Sequence, residues 1–466
     1  MGPVTRPERR PIRREVYLYF VLLFGFLLFL SHLPLLSLPY FWDEAIQYIP
    51  SALDLFRDGA WIPHSVPPLA HPPGVMAYLA AWWHVAGYHP AVTRSAMLLL
   101  STFGVLAAFL LAIELMRDSP GKPAFLAAAL LCVSPVFFAQ SIMAQLDAPA
   151  MVFTALALLF FLQDRIAISA AACVALVMMK ETGVLVPLVL GGWLVGERRW
   201  REAALYVAPG AALGAWLVAL KRGTGHWMGS EGFTDYNLFY LLHPVRLAVA
   251  LGRRVYYLSI ASFHWVGAIA VVYAWRRTRL FLSRPWKVAW LLAAAHVAMV
   301  TVLGGALLER YLLPVLPIVY AAAAAGLAAI PGVRQHVMTA ALLGGLAVSN
   351  FINPPYPFPY ENNLAFSDFL KLQMDAVDYV EHWYPQARIC TAWPMALELS
   401  QPDLGFAKRP MSVQFIRNFS TPVLEGLDWK NVEVLVAFSR SWDPEFSLLH
   451  LKPVLGFWRK YYGALP

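Results

Sequence analysis

The stretch Pro39-Tyr40-Phe41-Trp42-Asp43-Glu44-Ala45-Ile46-Gln47-Tyr48 decides how this chain is read. It follows an apolar run, Val16–Leu38, that is long enough to cross a bilayer, and it sets two carboxylates just past the exit of that run. A carboxylate in hydrocarbon is costly, so an acid pair at a helix exit belongs where water meets lipid headgroups. That location suits chemistry on a substrate with a lipid tail and a polar head. Acid pairs at helix exits are also often just solvated, so the remainder of the chain has to decide.

Composition places the chain in a membrane. Of its 466 residues 59% are hydrophobic and only 14% charged, against about 25% charged in soluble domains. The net charge of +8 sits largely in short loops between apolar runs, where Lys and Arg set topology, and is not a nucleic-acid signal. Cys132, Cys173 and Cys390 lie far apart, with neither metal-ligand spacing nor a disulfide framework. Met1–Glu15 carries five arginines ahead of a run too long for a cleavable signal, so an uncleaved first span is expected.

About eleven transmembrane helices are predicted, over 16–38, 92–116, 122–141, 148–163, 165–179, 184–196, 203–220, 255–274, 286–304, 311–330 and 337–352. Placing the Arg-rich N-terminus inside puts Arg117, Lys122, Arg165, Arg198, Arg199, Arg201, Arg276, Arg277, Arg279, Arg284, Lys287 and Arg334 in inside loops. Val75–Tyr88 competes as a span but is short, and reads better as an interfacial helix within one large outside loop, 39–91. The expected domains are a membrane domain, 1–352, and an outer C-terminal α/β domain, 353–466. In the latter Asn363–Tyr384 reads as an amphipathic helix, and Arg388–Trp393 and Asn431–Phe438 as strands.

Five polar groups then fall on the outer side: Asp43-Glu44, His71-Pro72-Pro73-Gly74, Gln145 with Asp147, Lys180-Glu181-Thr182-Gly183, and Glu309-Arg310-Tyr311. A carboxylate can take a proton from an acceptor hydroxyl. Arg, Lys and His can hold a leaving phosphate and neutralise its growing charge. Each group also has a plainer reading: Asp147 as a helix cap, Lys180-Glu181 as a surface pair, Arg310 as a headgroup anchor.

Taken in order, these motifs resemble the GT-C superfamily of integral-membrane glycosyltransferases. The branch they look most like holds lipid A aminoarabinose transferase and the protein O-mannosyltransferases. The resemblance rests on Trp42-Asp43-Glu44-Ala45, Asp58-Gly59-Ala60-Trp61-Ile62-Pro63, His71-Pro72-Pro73-Gly74, Gln145-Leu146-Asp147-Ala148-Pro149, Lys180-Glu181-Thr182-Gly183 and Arg310-Tyr311-Leu312-Leu313-Pro314, and spans roughly residues 16–330. It implies a GT-C-like polytopic helical fold and inverting transfer of a sugar from a polyprenyl-phosphate donor to a lipid, glycan or protein acceptor. The expected setting is the periplasmic face of a bacterial inner membrane. It also implies roles: Asp43 as the general base or the group that orients the acceptor, with Glu44 and Asp147 as its acidic partners in the catalytic set. His71, Lys180 and Arg310 are implied as donor-phosphate ligands, with Trp42, Gln145, Glu181 and Tyr311 in the donor/acceptor pocket. Many relatives have Lys-Pro-Pro where this chain has His71-Pro72-Pro73, and Glu181 is a charge without an assigned counterpart. No cofactor is expected. A divalent cation on Asp43, Glu44 and Asp147 stays open, since hard cations prefer oxygen ligands. The alternatives are a lipid-linked glycan transporter and a non-catalytic GT-C-like envelope-assembly protein.

Overall fold

A computed structural model describes residues 14–117, 123–231, 244–303, 306–356 and 358–438. In chain order the α-helices of six or more residues begin with α1 (Arg14–His32), α2 (Ile49–Asp58), α3 (Gly74–Ala86), α4 (Pro90–Leu115), α5 (Ala124–Val133) and α6 (Pro135–Gln140). Then come α7 (Asp147–Leu162), α8 (Ile166–Met179), α9 (Leu185–Gly196), α10 (Val207–Thr224), α11 (Pro244–Ser259) and α12 (His264–Arg277). The last are α13 (Arg284–Val302), α14 (Leu316–Ala328), α15 (Val333–Val348), α16 (Ala365–Trp383) and α17 (Met395–Ser400).

Each expected span coincides with helix, and the chain is a multi-pass membrane protein. Among the described residues five helices are long and apolar enough to cross a membrane. A bent pair, Pro244–Ser259 with Ala261–Arg277, turns by 49° and makes a sixth. Ala124–Val133, Asp147–Leu162, Ile166–Met179 and Glu181–Gly196 are apolar but shorter. The expected span 122–141 is two helices because Ser134 is extended (φ −63, ψ 127) ahead of Pro135, which cannot continue a helix. At 1.5 Å per residue the 13 residues of α3 reach only about 20 Å, short of a hydrocarbon core of about 30 Å.

The membrane core is built on α4, α5, α7, α12 and α14, whose facing residues are Ala, Leu, Val and Phe. Gly326 lets α14 cross α12 at backbone contact: a Cβ there would lie 2.6 Å from the carbonyl carbon of Ala270. At one end the short loops meet, with Arg199 on Asp164 and Arg284 on Glu197, each at 2.8 Å. The loops predicted to share a side of the membrane therefore converge in space.

A second core joins the first loop to the C-terminal segment. Tyr40, Phe41, Ala45, Ile49 and Trp83 pack with Phe366, Leu370, Val377, Ile389, Met395 and Leu404. Helix α16 matches the expected amphipathic helix, and β1 (Ile389–Ala392) and β3 (Val434–Val436) match the expected strands. A third strand, β2 (Val413–Ile416), was not expected; it completes a parallel sheet of order β2-β1-β3. Residues 439–466 of the expected C-terminal domain lie outside the described residues.

Within this segment Glu398 is buried and accepts a hydrogen bond from Gln373 Nε2 at 2.5 Å. Burial pushes its carboxyl up to about 8, against the opposing pull of the Gln373 bond. The folded state therefore holds a proton that the unfolded chain releases near pH 4.5. This contribution to stability is present below that pH and is lost as pH rises towards 8. The melting temperature of the wild type is expected to fall by several degrees between pH 5 and 8 relative to Glu398→Gln, measured by thermal unfolding in detergent. Parallel curves for the two proteins would contradict this.

Candidate active site

The loop after α1 is tied down before it reaches Asp43. Glu44 is fully buried, and its Oε1 and Oε2 accept from Arg94 Nη1 and Nη2 at 2.5 and 3.0 Å. The backbone N–H of Phe41 and of Ala144 also donate to it, at 2.9 and 2.5 Å. Arg94, buried in the first turns of α4, donates further to the carbonyls of Pro39 and Ile142, at 2.6 and 3.1 Å. The pair thus bolts the Asp43 loop to the segment before Gln145 and Asp147. Glu44, expected as the acidic partner of Asp43, is therefore buried with both oxygens spent on Arg94 and on backbone.

Trp42 has φ +48, unusual for a bulky residue. It opens a π-helical turn, Glu44–Tyr48, and its ring meets Trp393 edge-on at 4.4 Å. The strained residue and wide turn send Glu44 inward and leave Asp43 facing outward, the kind of local irregularity that clusters at working sites.

Arg310, in the 3₁₀ stretch Glu309–Val315, is the hub. Its Nη2 pairs with Asp43 Oδ2 and its Nη1 donates to Gln145 Oε1. Its Nε lies 3.4 Å from Asp147 Oδ2, and Nη1 lies 3.1 Å from Glu361 Oε1. The stretch is fixed from outside by His296 on the Tyr311 carbonyl at 2.8 Å. Of the three carboxylates, Asp43 has a side chain 27% exposed, against 4% for Asp147 and 5% for Glu361. Asp43 is therefore the acid within reach of an incoming molecule.

Lys180 Nζ contacts Asp147 Oδ1 at 2.5 Å and lies 4.5 Å from the centre of the Tyr311 ring. The cap position of α7 falls on Leu146, and Asp147, its first helical residue, directs its carboxylate at the two cations Lys180 and Arg310. Arg254 also faces Tyr311, at 5.7 Å. It is buried and donates through Nη1 to the Leu308 carbonyl, while its Nε and Nη2 have no hydrogen-bond partner among the described residues. Lys180, Arg254 and Arg310 thus border one aromatic ring, Arg310 at 5.6 Å, and form a cationic corner in which Arg254 keeps unsatisfied donors.

His71 Nδ1 lies 2.8 Å from Glu181 Oε2. The approach depends on Gly74, where a Cβ would stand 2.4 Å from the Met178 carbonyl oxygen. His71 also lines a cleft with Gln47, Ser51, Trp61, Met76 and Trp216. So Asp43, Gln145, Asp147, Lys180, Arg310 and Tyr311 come together, Trp42 and Glu44 frame the loop, and His71 and Glu181 form a neighbouring pair. Sequence reasoning missed Arg94, Arg254 and Glu361. Arg94 is the only charge within the apolar stretch Ala91–Ala112, which is a usable signal.

The acids considered as cation ligands do not fit that role. Both oxygens of Asp147 and of Glu44 face Lys or Arg, and Asp43 pairs with Arg310. A separate set, Asp54, Asp58 and His64, has suitable spacing among the described residues. Its one buried member, Asp54, already accepts from the backbone N–H of His64 and Ser65 and from the Ser65 hydroxyl, at 2.8, 2.9 and 2.9 Å.

Neither a protein-family profile nor a curated protein sequence matches the chain. Solved structures do. ArnT from Cupriavidus metallidurans bound to undecaprenyl phosphate superposes with a TM-score of 0.57 at 13% identity, over 90% of this chain and 89% of that one. The apo form gives 0.57 and 13% over 97% and 91%. AglB from Archaeoglobus fulgidus, in complex with an inhibitory peptide and a dolichol-phosphate, gives 0.48 at 12% over 86% and 64%. The chain has the GT-C fold of integral-membrane glycosyltransferases. That assignment rests on the two ArnT structures.

Proposed function

We propose that this protein moves a sugar from a polyprenyl-phosphate donor to an acceptor hydroxyl, at the extracytoplasmic face of a bacterial inner membrane. The observation that carries the reading is the meeting of Asp43, Gln145 and Asp147 on Arg310, beside Lys180 and the unsatisfied Arg254. ArnT, which shares the fold, binds undecaprenyl phosphate.

In this reaction Asp43 accepts the proton of the acceptor hydroxyl. The freed oxygen attacks the anomeric carbon from the face opposite the phosphate, so the configuration inverts. The bond from that carbon to the phosphate oxygen breaks, and its electron pair leaves on the polyprenyl phosphate. Arg310, Lys180 and Arg254 meet that growing charge. Protonation of Asp43 weakens its hold on Arg310 as the leaving phosphate needs it, so proton acceptance and phosphate stabilisation reinforce each other. Asp147 keeps Lys180 and Arg310 apart in fixed positions. His71, paired with Glu181, borders the donor side.

The test is the donor response. Arg254→Ala and Lys180→Ala are each expected to raise the KM for a polyprenyl-phosphate sugar about tenfold or more, one charge-assisted contact being worth at least 1.4 kcal/mol. The KM for the acceptor stays unchanged. An unaltered donor KM in both variants would remove this corner from the phosphate site.

A further inference from the structure

One charge at the hub plays no part in the reaction above. Glu361 arrives from the C-terminal side of the chain, on a short 3₁₀ turn, Tyr360–Asn362. The turn is moored on both flanks. Asn362 Nδ2 donates to Glu309 Oε2 at 2.7 Å, and Glu309 Oε1 in turn holds Arg253 at 2.6 Å. The Leu364 N–H donates to the Asn350 carbonyl at 3.1 Å, and Asn363 Nδ2 to Asn353 Oδ1 at 3.1 Å. Residues 361 and 362 thus address two consecutive residues, Arg310 and Glu309.

The contact with Arg310 is close but ill-fitting. Glu361 Oε1 stands 3.1 Å from Nη1, yet it is buried with no aligned hydrogen bond among the described residues, and the same holds for Arg310 Nε. A carboxylate built to clamp this guanidinium would meet it as a fork, with two parallel bonds. Asp43, Asp147 and Glu361 face Arg310 and Lys180, with Arg254 beside the same Tyr311 ring, so three acids balance three cations when all are ionised. With Glu361 ionised, no cation is left in excess for a phosphate.

We propose that Glu361 is a positioning residue whose carboxylate holds the place of the donor's phosphate on Arg310 until the lipid displaces it. The inference rests on the reading of this site as a polyprenyl-phosphate site. The arriving phosphate makes the aligned, charge-assisted bonds that Glu361 does not, and the Tyr360–Asn362 turn withdraws. No covalent bond changes. Burial pushes the Glu361 carboxyl up to about 7; Arg310 opposes this, and Asp43, Asp147 and Glu309 reinforce it. Near neutral pH the residue therefore changes charge, and its competition with phosphate is strong above pH 7 and weak below it.

The test compares undecaprenyl phosphate binding to the full-length wild type and Glu361→Gln in detergent at pH 8 and pH 6. The variant is expected to bind about tenfold more tightly at pH 8, and the ratio falls towards one at pH 6. Using the ratio cancels the lipid's own titration. A ratio of one at both pH values, or weaker binding by the variant, overturns the placement of Glu361. A wild type that binds no undecaprenyl phosphate at either pH overturns the phosphate-site reading itself. Hydrogen exchange on the wild type gives a second readout, independent of the variant's folding. Adding undecaprenyl phosphate is expected to increase exchange in 358–364; unchanged or slower exchange there contradicts displacement.

Discussion

Asp43→Asn is expected to lower sugar transfer about a thousandfold while leaving donor binding within a factor of two or three. The size follows from the usual contribution of a positioned general base, about 10²–10⁴-fold. The substitution preserves shape, and the amide oxygen still accepts from Arg310, so the hub is not dismantled. What is lost is the site for the acceptor's proton. In the proposed reaction Asp43 carries this alone, because the other two carboxylates on Arg310 are buried behind it. Single-turnover transfer with preloaded donor, alongside a donor-binding isotherm, separates the two effects. Transfer within tenfold of wild type would remove Asp43 as the base. A large loss of donor binding with intact single-turnover chemistry would instead assign it to holding Arg310.

Glu44→Ala is expected to destabilise the protein by about 3–5 kcal/mol, because it leaves the Arg94 charge buried without its partner. It also removes the acceptor for the Phe41 and Ala144 backbone N–H groups. Both segments it joins carry site residues, so activity falls together with stability. The double variant Glu44→Gln/Arg94→Met is expected to recover a large part of the loss, since no isolated charge remains. Thermal or denaturant unfolding of the two single variants and the double variant provides the cycle. A Glu44→Ala protein as stable as wild type would contradict the buried bolt. Adjacent acids with the same chemistry thus have opposite expected signatures: Asp43 a loss of rate, Glu44 a loss of fold.

Much of the architecture was legible in the sequence because membrane spans announce themselves through length and hydropathy, and because basic loops fix their sidedness. The convergence of loops carrying Asp164, Glu197, Arg199 and Arg284 reflects that rule in space. The resemblance separates Asp43 from Glu44 as base and partner, but the burial of Glu44 and the exposure of Asp43 were not legible in the residues themselves. Both depend on the positive φ of Trp42 and on a π-helical turn, neither of which has a residue signature here. Strand β2 was hidden because its four residues, Val-Gln-Phe-Ile, show no clean inward–outward alternation, and Phe415 is exposed. Arg254 stands beside Arg253 in sequence with no motif to single it out, and only packing under Leu308 and Tyr311 buries it. Glu361 is a lone acid in a Pro- and aromatic-rich connection. It becomes part of the hub through a contact with a residue 51 positions earlier in the chain.

The most direct test of the central claim is lipid release. Purified protein in proteoliposomes is given a mixture of polyprenyl-phosphate sugars and an acceptor-containing envelope extract, and free polyprenyl phosphate is counted against sugar transferred. The account predicts one polyprenyl phosphate released per sugar transferred by the wild type, and release near background for Asp43→Asn. Movement of intact lipid-linked sugar across the bilayer without release, equal in both proteins, would contradict it and identify a carrier instead.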